Sequence, residues 1–310
     1  MMRETILIDT DPGQDDAVAI LLAIAAADRL DVAGLCAVAG NVPIAQTTAN
    51  TIRICDLGGS DLPVYAGAAG PLVFEPETAE FVCGPDGLAG ADLPPPTRAA
   101  AGEHAVDFII RTLRAAPDAG VTLCPLGPLT NIALALRMAP DIRAKVKRIV
   151  LMGGSVTLGN MTPAAEFNFH VDPHAAHVVL TAGIPVVMFG LNATLQAICA
   201  HDQIERFAAM GNRSGKAVHG MLTRPRPGGL GDGAGHPMHD PCVIAWLLWP
   251  ELFTGRDCHV EMDISDGPQR GRSTVDWNNR LKRPANAHVI DKIDARTLFD
   301  RIADEFSRLP

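Results

Sequence analysis

The sequence predicts an α/β protein built as a single domain, with a mostly parallel, Rossmann-like sheet, helices on both faces and long loops at the carboxyl ends of the strands. Three observations predict it. Short apolar runs nearly free of charge alternate with segments of helical composition, the pattern of strands covered on both faces. Each run stops at a carboxylate, an amide or a glycine. No shift in composition and no internal repeat divides the 310 residues, so one domain over 1–310 is expected, although length alone would allow two.

The elements follow in order. Residues 5–8 form an apolar run that ends at Asp9, and the alanine-rich stretch 15–28 reads as helix. Residues 32–39 form a second strand ending at Gly40-Asn41, followed by a helix over 43–57. Strand 121–126 leads into helix 129–138, and strand 148–152 breaks at Gly153-Gly154. Helix 173–182 precedes a buried strand over 185–191. Two excursions interrupt the alternation. Residues 70–98 hold GPDG and a triple proline, and 225–237 reads PRPGGLGDGAGHP. Long irregular segments of this kind serve as lids or binding loops.

Composition narrows the function. An apolar fraction of 47% against 20% charged residues supports a large core. The net charge of −9 opposes binding to phosphate backbones, so no nucleic-acid partner is expected. The longest apolar stretch, 17–27, is too short to cross a bilayer, which argues against a membrane partner. Strand-like residues begin at Thr5, so no signal peptide is expected. Seven scattered cysteines without a CxxC pair fit reduced thiols and a cytoplasmic protein.

In open parallel sheets, ligands bind beyond the carboxyl ends of the strands. There, four aspartates fall within eight residues: Asp9, Asp11, Asp15 and Asp16. One or two would be a solvated loop and a helix cap. Four after a buried strand repel each other enough to call for a hard divalent cation, Ca2+ or Mg2+. Asp11 and Asp16 flank the Pro12-Gly13 turn and could approach one ion from opposite sides. Asp240, beside His236 and His239 and ahead of an apolar helix over 242–248, is a remote candidate, with an ordinary helix cap as its plainer role. An EF-hand is excluded by Gly13 and Gln14 at the fifth and sixth loop positions. Aspartyl-phosphate phosphatases, which also begin with a strand and Asp-x-Asp, are a weaker match because Gly13 stands where they carry Thr or Val. No GxGxxG or P-loop is present.

The stretch 8–17, IDTDPGQDDA, closely resembles the N-terminal signature of the inosine–uridine type of nucleoside hydrolase. Further matches keep that family's order: Gly40-Asn41, LGPLTNIA at 126–133, MGG at 152–154, EFN at 166–168, His239-Asp240-Pro241, Val275-Asp276 and Asn286-Ala287. Together they span about residues 5–305. The resemblance implies hydrolysis of the N-glycosidic bond of ribonucleosides, in purine or pyrimidine salvage, by a homodimer or homotetramer that uses Ca2+. Asp11, Asp16 and Asp240 match metal ligands, joined by the carbonyl of Leu126. Asp11 also matches the general base. Asp15 and Asn41 match residues that hold the 2′- and 3′-hydroxyls; Asn160, Glu166 and Asn168 match those at the 5′ side. Met152 would line the floor, Phe167 is the aromatic of the pocket, and Asp9 would buttress the loop.

The chemistry agrees with the residues. Breaking the bond builds positive charge at C1′, and a cation that grips two hydroxyls fixes the sugar. His239, next to Asp240, is the candidate acid for the leaving base. His104 reads as lying on a helix face; the remaining histidines, apart from His236, read as packing or surface groups. Two departures touch the base side: Cys83 precedes GPDG where relatives carry histidine, and LNATL at 191–195 replaces a Leu-Asp-Val-Thr-His pattern. A member turned to a modified nucleoside, and a non-catalytic ribosyl sensor, are the alternative readings.

Overall fold

The computed structural model describes residues 3–224 and 235–310. The strands in chain order are β1 (Glu4–Thr10), β2 (Leu30–Ala37), β3 (Val64–Ala66), β4 (Val121–Pro125), β5 (Val146–Met152) and β6 (Val186–Phe189). Then come β7 (Ile198–Ala200), β8 (Gly235–Pro237), β9 (Phe253–Cys258), β10 (Val260–Met262), β11 (Ser273–Val275) and β12 (Ala287–Ile293). Eight of them form the central sheet in the order β3-β2-β1-β4-β5-β6-β12-β9. Every neighbouring pair is parallel except β12 with β9, which closes that edge antiparallel.

Helices cover both faces, as the sequence predicts. On one side the core gathers α1 (Gln14–Ala25), α2 (Ile44–Leu57) and, from later in the chain, residues of α9 (His201–Ala209), α10 (Arg213–Leu222), α11 (Pro241–Leu248) and α12 (Ala295–Phe306). On the other it gathers α4 (Ala105–Ala115), α5 (Thr130–Met138) and α7 (Pro173–Leu180). Apolar strands between two apolar layers leave no polar face, which explains the uninterrupted runs in the sequence. Three short helices, α3 (Glu80–Cys83), α6 (Phe167–Val171) and α8 (Leu191–Thr194), lie at the ends of loops or strands.

Several expectations need correction. The excursion 70–98 is not loop throughout, because α3 lies inside it. Of the excursion 225–237, residues 225–234 lie outside the described residues, and 235–237 form β8, paired antiparallel with β7. Gly235 permits that pairing: its φ is +153°, and a Cβ there would lie 2.2 Å from the carbonyl of Cys199. His104 caps α4 rather than sitting on its face, with Nδ1 accepting from the Val106 amide at 3.2 Å. The strand β3 and helices α4, α9, α10 and α12 are elements that the periodicity did not single out.

The edge of this architecture that matters is the carboxyl end of β1. β1 is an interior strand, flanked by β2 and β4, so Asp9 and Asp11 emerge between neighbouring strand ends. Asn131 at the start of α5 ties three segments there. Its amide donates to Asp9 Oδ2 at 2.8 Å and to the Ala37 carbonyl at 3.0 Å, and its oxygen accepts from the Ala68 amide at 2.8 Å.

Candidate active site

The turn after β1 is held by short local bonds. Thr10 Oγ1 donates to Asp16 Oδ1 at 2.6 Å, and the Gly13 amide donates to Asp16 Oδ2 at 2.9 Å. Asp15 and Asp16 occupy the first turn of α1, where the helix dipole favours anions. Asp11 is held from the next strand's loop. Its Oδ2 accepts from the Asn41 amide at 2.8 Å, and the Asn41 side chain donates to the Asp11 carbonyl at 3.1 Å. Two glycines close around the same carboxylate: a Cβ at Gly40 would lie 2.1 Å from Oδ2, and one at Gly127 would lie 2.3 Å from Oδ1. These contacts give a physical reason for glycine in both the Gly40-Asn41 and the LGPLTN motifs.

Asp240 arrives from across the sheet, just after β8. It occupies the N-cap position of α11 with Pro241 next, yet its side chain caps no backbone amide. It reaches the first cluster instead, where oxygens of Asp15, Asp16 and Asp240 all lie within 4.8 Å of one another. Three carboxylates converging at this distance, two of them buried, form an all-oxygen donor set suited to a hard cation. Asp11 adjoins the group closely enough that the Asp16 charge acts on it.

The titration behaviour of the protein without a cation follows from that crowding. Burial, then the Asp16 charge, holds Asp11 well above the carboxylate range. Burial, then Asp15 and Asp16, does the same to Asp240. Asp16 is pushed up to about 6 by burial and by Asp15. Burial also raises Asp9 to about 8 and Glu166 to about 7. For Asp9 only Asn131 offsets the burial, and Asp9 Oδ1 has no partner among the described residues.

A cavity of about 410 Å3 opens over the cluster, within the range that takes a small molecule. Asp11, Asp15, Asn41, Leu126, Met152, Asn160, Glu166, Phe167, Asn168, His239 and Asp240 all line it. Of the sequence candidates, Asp9 and Asp16 are outside the lining, both buried. Opposite the aspartates, Glu166 caps α6 and accepts from the amides of Asn168, Gly154 and Phe169 at 2.8, 2.8 and 3.1 Å. Asn168 Nδ2 donates to the Leu126 carbonyl at 2.7 Å and to the Met152 carbonyl at 3.2 Å. Asn160 Oδ1 accepts from the Phe167 amide at 2.9 Å. The His239 amide donates to Asp15 Oδ2 at 3.2 Å.

Sequence reading missed part of the wall. Gln14, Ala79, Phe81, Val82, Gly159 and Met161 also line the cavity. Phe81 stands 62% exposed at the mouth, unusual for so large an apolar group. Its location inside the long excursion 70–98 is the one signal that could have found it. Cys83 is in the wall as expected from its neighbours, with Sγ 3.2 Å from the Ala79 carbonyl and burial pushing the thiol up to about 12. Asn192 and Leu195 are outside the lining; Asn192 Nδ2 donates to the Ile290 carbonyl at 2.9 Å and so ties α8 to β12. His236 is also outside it, with Nδ1 3.1 Å from the Pro237 carbonyl.

Known proteins resemble this chain over nearly its whole length. The family model described as inosine-uridine preferring nucleoside hydrolase matches residues 6–300. The pyrimidine-specific ribonucleoside hydrolase RihB of Escherichia coli is 41% identical over 299 residues, covering 95% of this chain and 94% of its own. An uncharacterised protein of Schizosaccharomyces pombe is 44% identical over 310 residues, covering 98% and 99%. Among solved structures, the purine-preferring ribonucleoside hydrolase from Gardnerella vaginalis superposes with a TM-score of 0.88 at 29% identity, covering 98% of each chain. Fold, cavity and likeness define a hydrolase that acts on N-glycosyl compounds. The chain belongs to the inosine–uridine preferring nucleoside hydrolase family.

The raised carboxylates make a pH test. Asp16, Glu166 and Asp9, at about 6, 7 and 8, hold protons in the folded chain that the unfolded chain releases near its ordinary carboxylate values. Their stabilisation is therefore complete below the ordinary values of 3.8 to 4.5 and is lost progressively as pH rises from there to about 8. Chelator-treated protein should lose Tm across that window, whereas protein with a divalent cation should hold it. Scanning calorimetry at matched ionic strength checks this, and a gap between the two curves that narrows with rising pH would contradict it.

Proposed function

We propose that this enzyme hydrolyses the N-glycosidic bond of ribonucleosides with Ca2+ bound, giving ribose and a free base. The observation that carries the reading is the convergence of Asp15, Asp16 and Asp240, with Asp11 beside them, on one cavity faced by amide side chains. Asp11, Asp16 and Asp240 would hold the ion, with the Leu126 carbonyl. That carbonyl already accepts from Asn168, and its second lone pair remains for a cation. Asp15 belongs to the same group of oxygens. When bound, calcium supplies positive charge that fixes the sugar hydroxyls and acidifies water.

The chain's own groups carry the remaining steps. Asp15 and Asn41 grip the 2′- and 3′-hydroxyls; Asn160, Glu166 and Asn168 orient the 5′ side over Met152. Phe167 covers the sugar. Asp11, its Oδ2 steadied by the Asn41 amide, removes the proton from the attacking water. His239 gives a proton to the base as the bond breaks. Many fixed polar contacts to the unreacting sugar hydroxyls allow binding energy to act at C1′.

Base choice rests on the wall of Ala79, Phe81, Val82 and Cys83. The relatives point two ways, since RihB is named pyrimidine-specific and the Gardnerella enzyme purine-preferring. In this chain the wall is mainly apolar, and the Cys83 thiol faces the Ala79 and Asn41 carbonyls. That apolar wall favours, as a second reading, a base or modified base recognised by stacking more than by hydrogen bonds. The first reading places the enzyme in the cytoplasm, in nucleoside salvage, as a homodimer or homotetramer.

Reducing-sugar release from a panel of nucleosides tests the reading. Ribonucleosides should turn over, and 2′-deoxynucleosides should fall in kcat/KM by more than about tenfold, since each unpartnered buried group costs about 1–3 kcal/mol. Equal values for a riboside and its deoxy counterpart would show that the diol is not read. Binding without turnover would favour a sensor.

The acid role has its own test. Leaving-group protonation is worth about 10²–10⁴-fold. His239→Ala should lose that much with natural nucleosides and keep most activity with p-nitrophenyl riboside, whose phenolate leaves unprotonated. A matched fall on both substrates would move His239 out of the acid role.

A further inference from the structure

Thr194 ends α8, is fully buried and does not line the cavity. Its Oγ1 lies 2.8 Å from Nδ1 of His239 and 3.3 Å from the carbonyl of Gly190, one turn back. A threonine hydroxyl has one hydrogen, and a carbonyl oxygen accepts only. With that hydrogen directed to Gly190, Oγ1 accepts from Nδ1–H of His239. The arrangement suits the imidazole tautomer carrying its proton on Nδ1, and it suits the imidazolium equally. Of the two, only the imidazolium also carries a proton on Nε2, the form that an acid role needs, and His239 is a lining residue of the cavity.

The platform under this contact is rigid. The Leu191 amide donates to the Gly154 carbonyl at 2.9 Å, and Asn192 Nδ2 donates to the Ile290 carbonyl at 2.9 Å. A Cβ at Gly190 would lie 2.7 Å from Asn192 Oδ1, so α8 starts in a close fit. The backbone that carries His239 is tied separately. The Met238 amide donates to the Ala197 carbonyl at 2.9 Å, and the His239 amide donates to Asp15 Oδ2 at 3.2 Å. Backbone position is thus fixed by one set of bonds, and the Thr194 contact restrains the ring. A back-bond to Gly190 alone would be ordinary helix chemistry. The second partner, a ring nitrogen of a cavity residue, is what that local role leaves unexplained.

We infer that Thr194 is a positioning residue, which holds His239 so that Nε2 faces the departing base. The inference rests on the acid role given to His239 above. Partners of this kind, one step removed from the reacting atoms, set tautomer and orientation together.

Thr194→Val keeps the shape and removes the hydroxyl; Thr194→Ser keeps the hydroxyl. With the calcium-loaded enzyme, Thr194→Val should lower kcat on a natural ribonucleoside by about 10- to 100-fold, the scale of a misplaced catalytic group. KM for that nucleoside and turnover of p-nitrophenyl riboside should hold, and Thr194→Ser should restore kcat. An unchanged kcat, or an equal loss on both substrates, would overturn the assignment. His239→Ala, run in parallel, separates the two claims. If it fails to distinguish the substrates, the acid role is what fails, and 15N chemical shifts of the His239 ring then decide the position. A proton fixed on Nδ1 in the natural protein and a tautomer mixture in Thr194→Val would uphold the contact; identical spectra would end it.

Discussion

The carboxyl end of β1 carries more negative charge than a buried site can hold unaided, and much of the structure is an answer to that problem. Asp9, Asp11 and Asp16 are each at most 1% exposed, and Asp240 is 5% exposed. Like charges at such spacing push each other toward the protonated form. Local donors offset part of this: Thr10 and Gly13 on Asp16, Asn41 on Asp11, Asn131 on Asp9. What they leave is an oxygen cage poised for a cation, beneath a cavity that admits a sugar.

The fold makes the crowding possible. A parallel sheet sends successive strand ends to one edge, so β1, β2, β4 and β5 deliver their following loops to the same place. Backbone must then pass within contact of a carboxylate, which Gly40 and Gly127 allow on either side of Asp11. Asp240 is brought from more than two hundred residues away by the β7–β8 pair and fixed at the start of α11. A second link joins the opposite wall. Arg270, on the turn between β10 and β11, contacts Glu77 and His170 and covers Phe74, so the segment leading to α3 and the helix carrying Asn168 share one anchor.

The sequence makes the carboxylate-and-amide side of the cavity legible because its residues stand in short, ordered motifs. Asp11, Asp15 and Asp16 lie in one stretch, and Asn41, Leu126, Glu166 and Asn168 each sit in a short motif after or near a strand. The apolar wall of the cavity is less legible. Phe81 and Val82 offer the wall only bulk and shape, which many residues supply, and α3 is one turn in a segment rich in Gly and Pro. Thr194 is hidden for another reason: its partner His239 is distant in sequence, and a hydroxyl that bonds back within a short helix looks the same as one that orients a ring. Strand β3, three residues long, falls below any period that could be read.

The central claim is that these carboxylates are shared by a cation, and calorimetric titration of chelator-treated protein with Ca2+ tests it most directly. Run near pH 6–7 in buffers of different ionisation enthalpy, it separates ion binding from proton release. The account predicts saturation at a single ion per chain with net release of protons, because raised carboxylates must ionise to bind. Binding should vanish in Asp240→Ala. Saturable binding with no proton release, or with full affinity in that variant, would contradict the account.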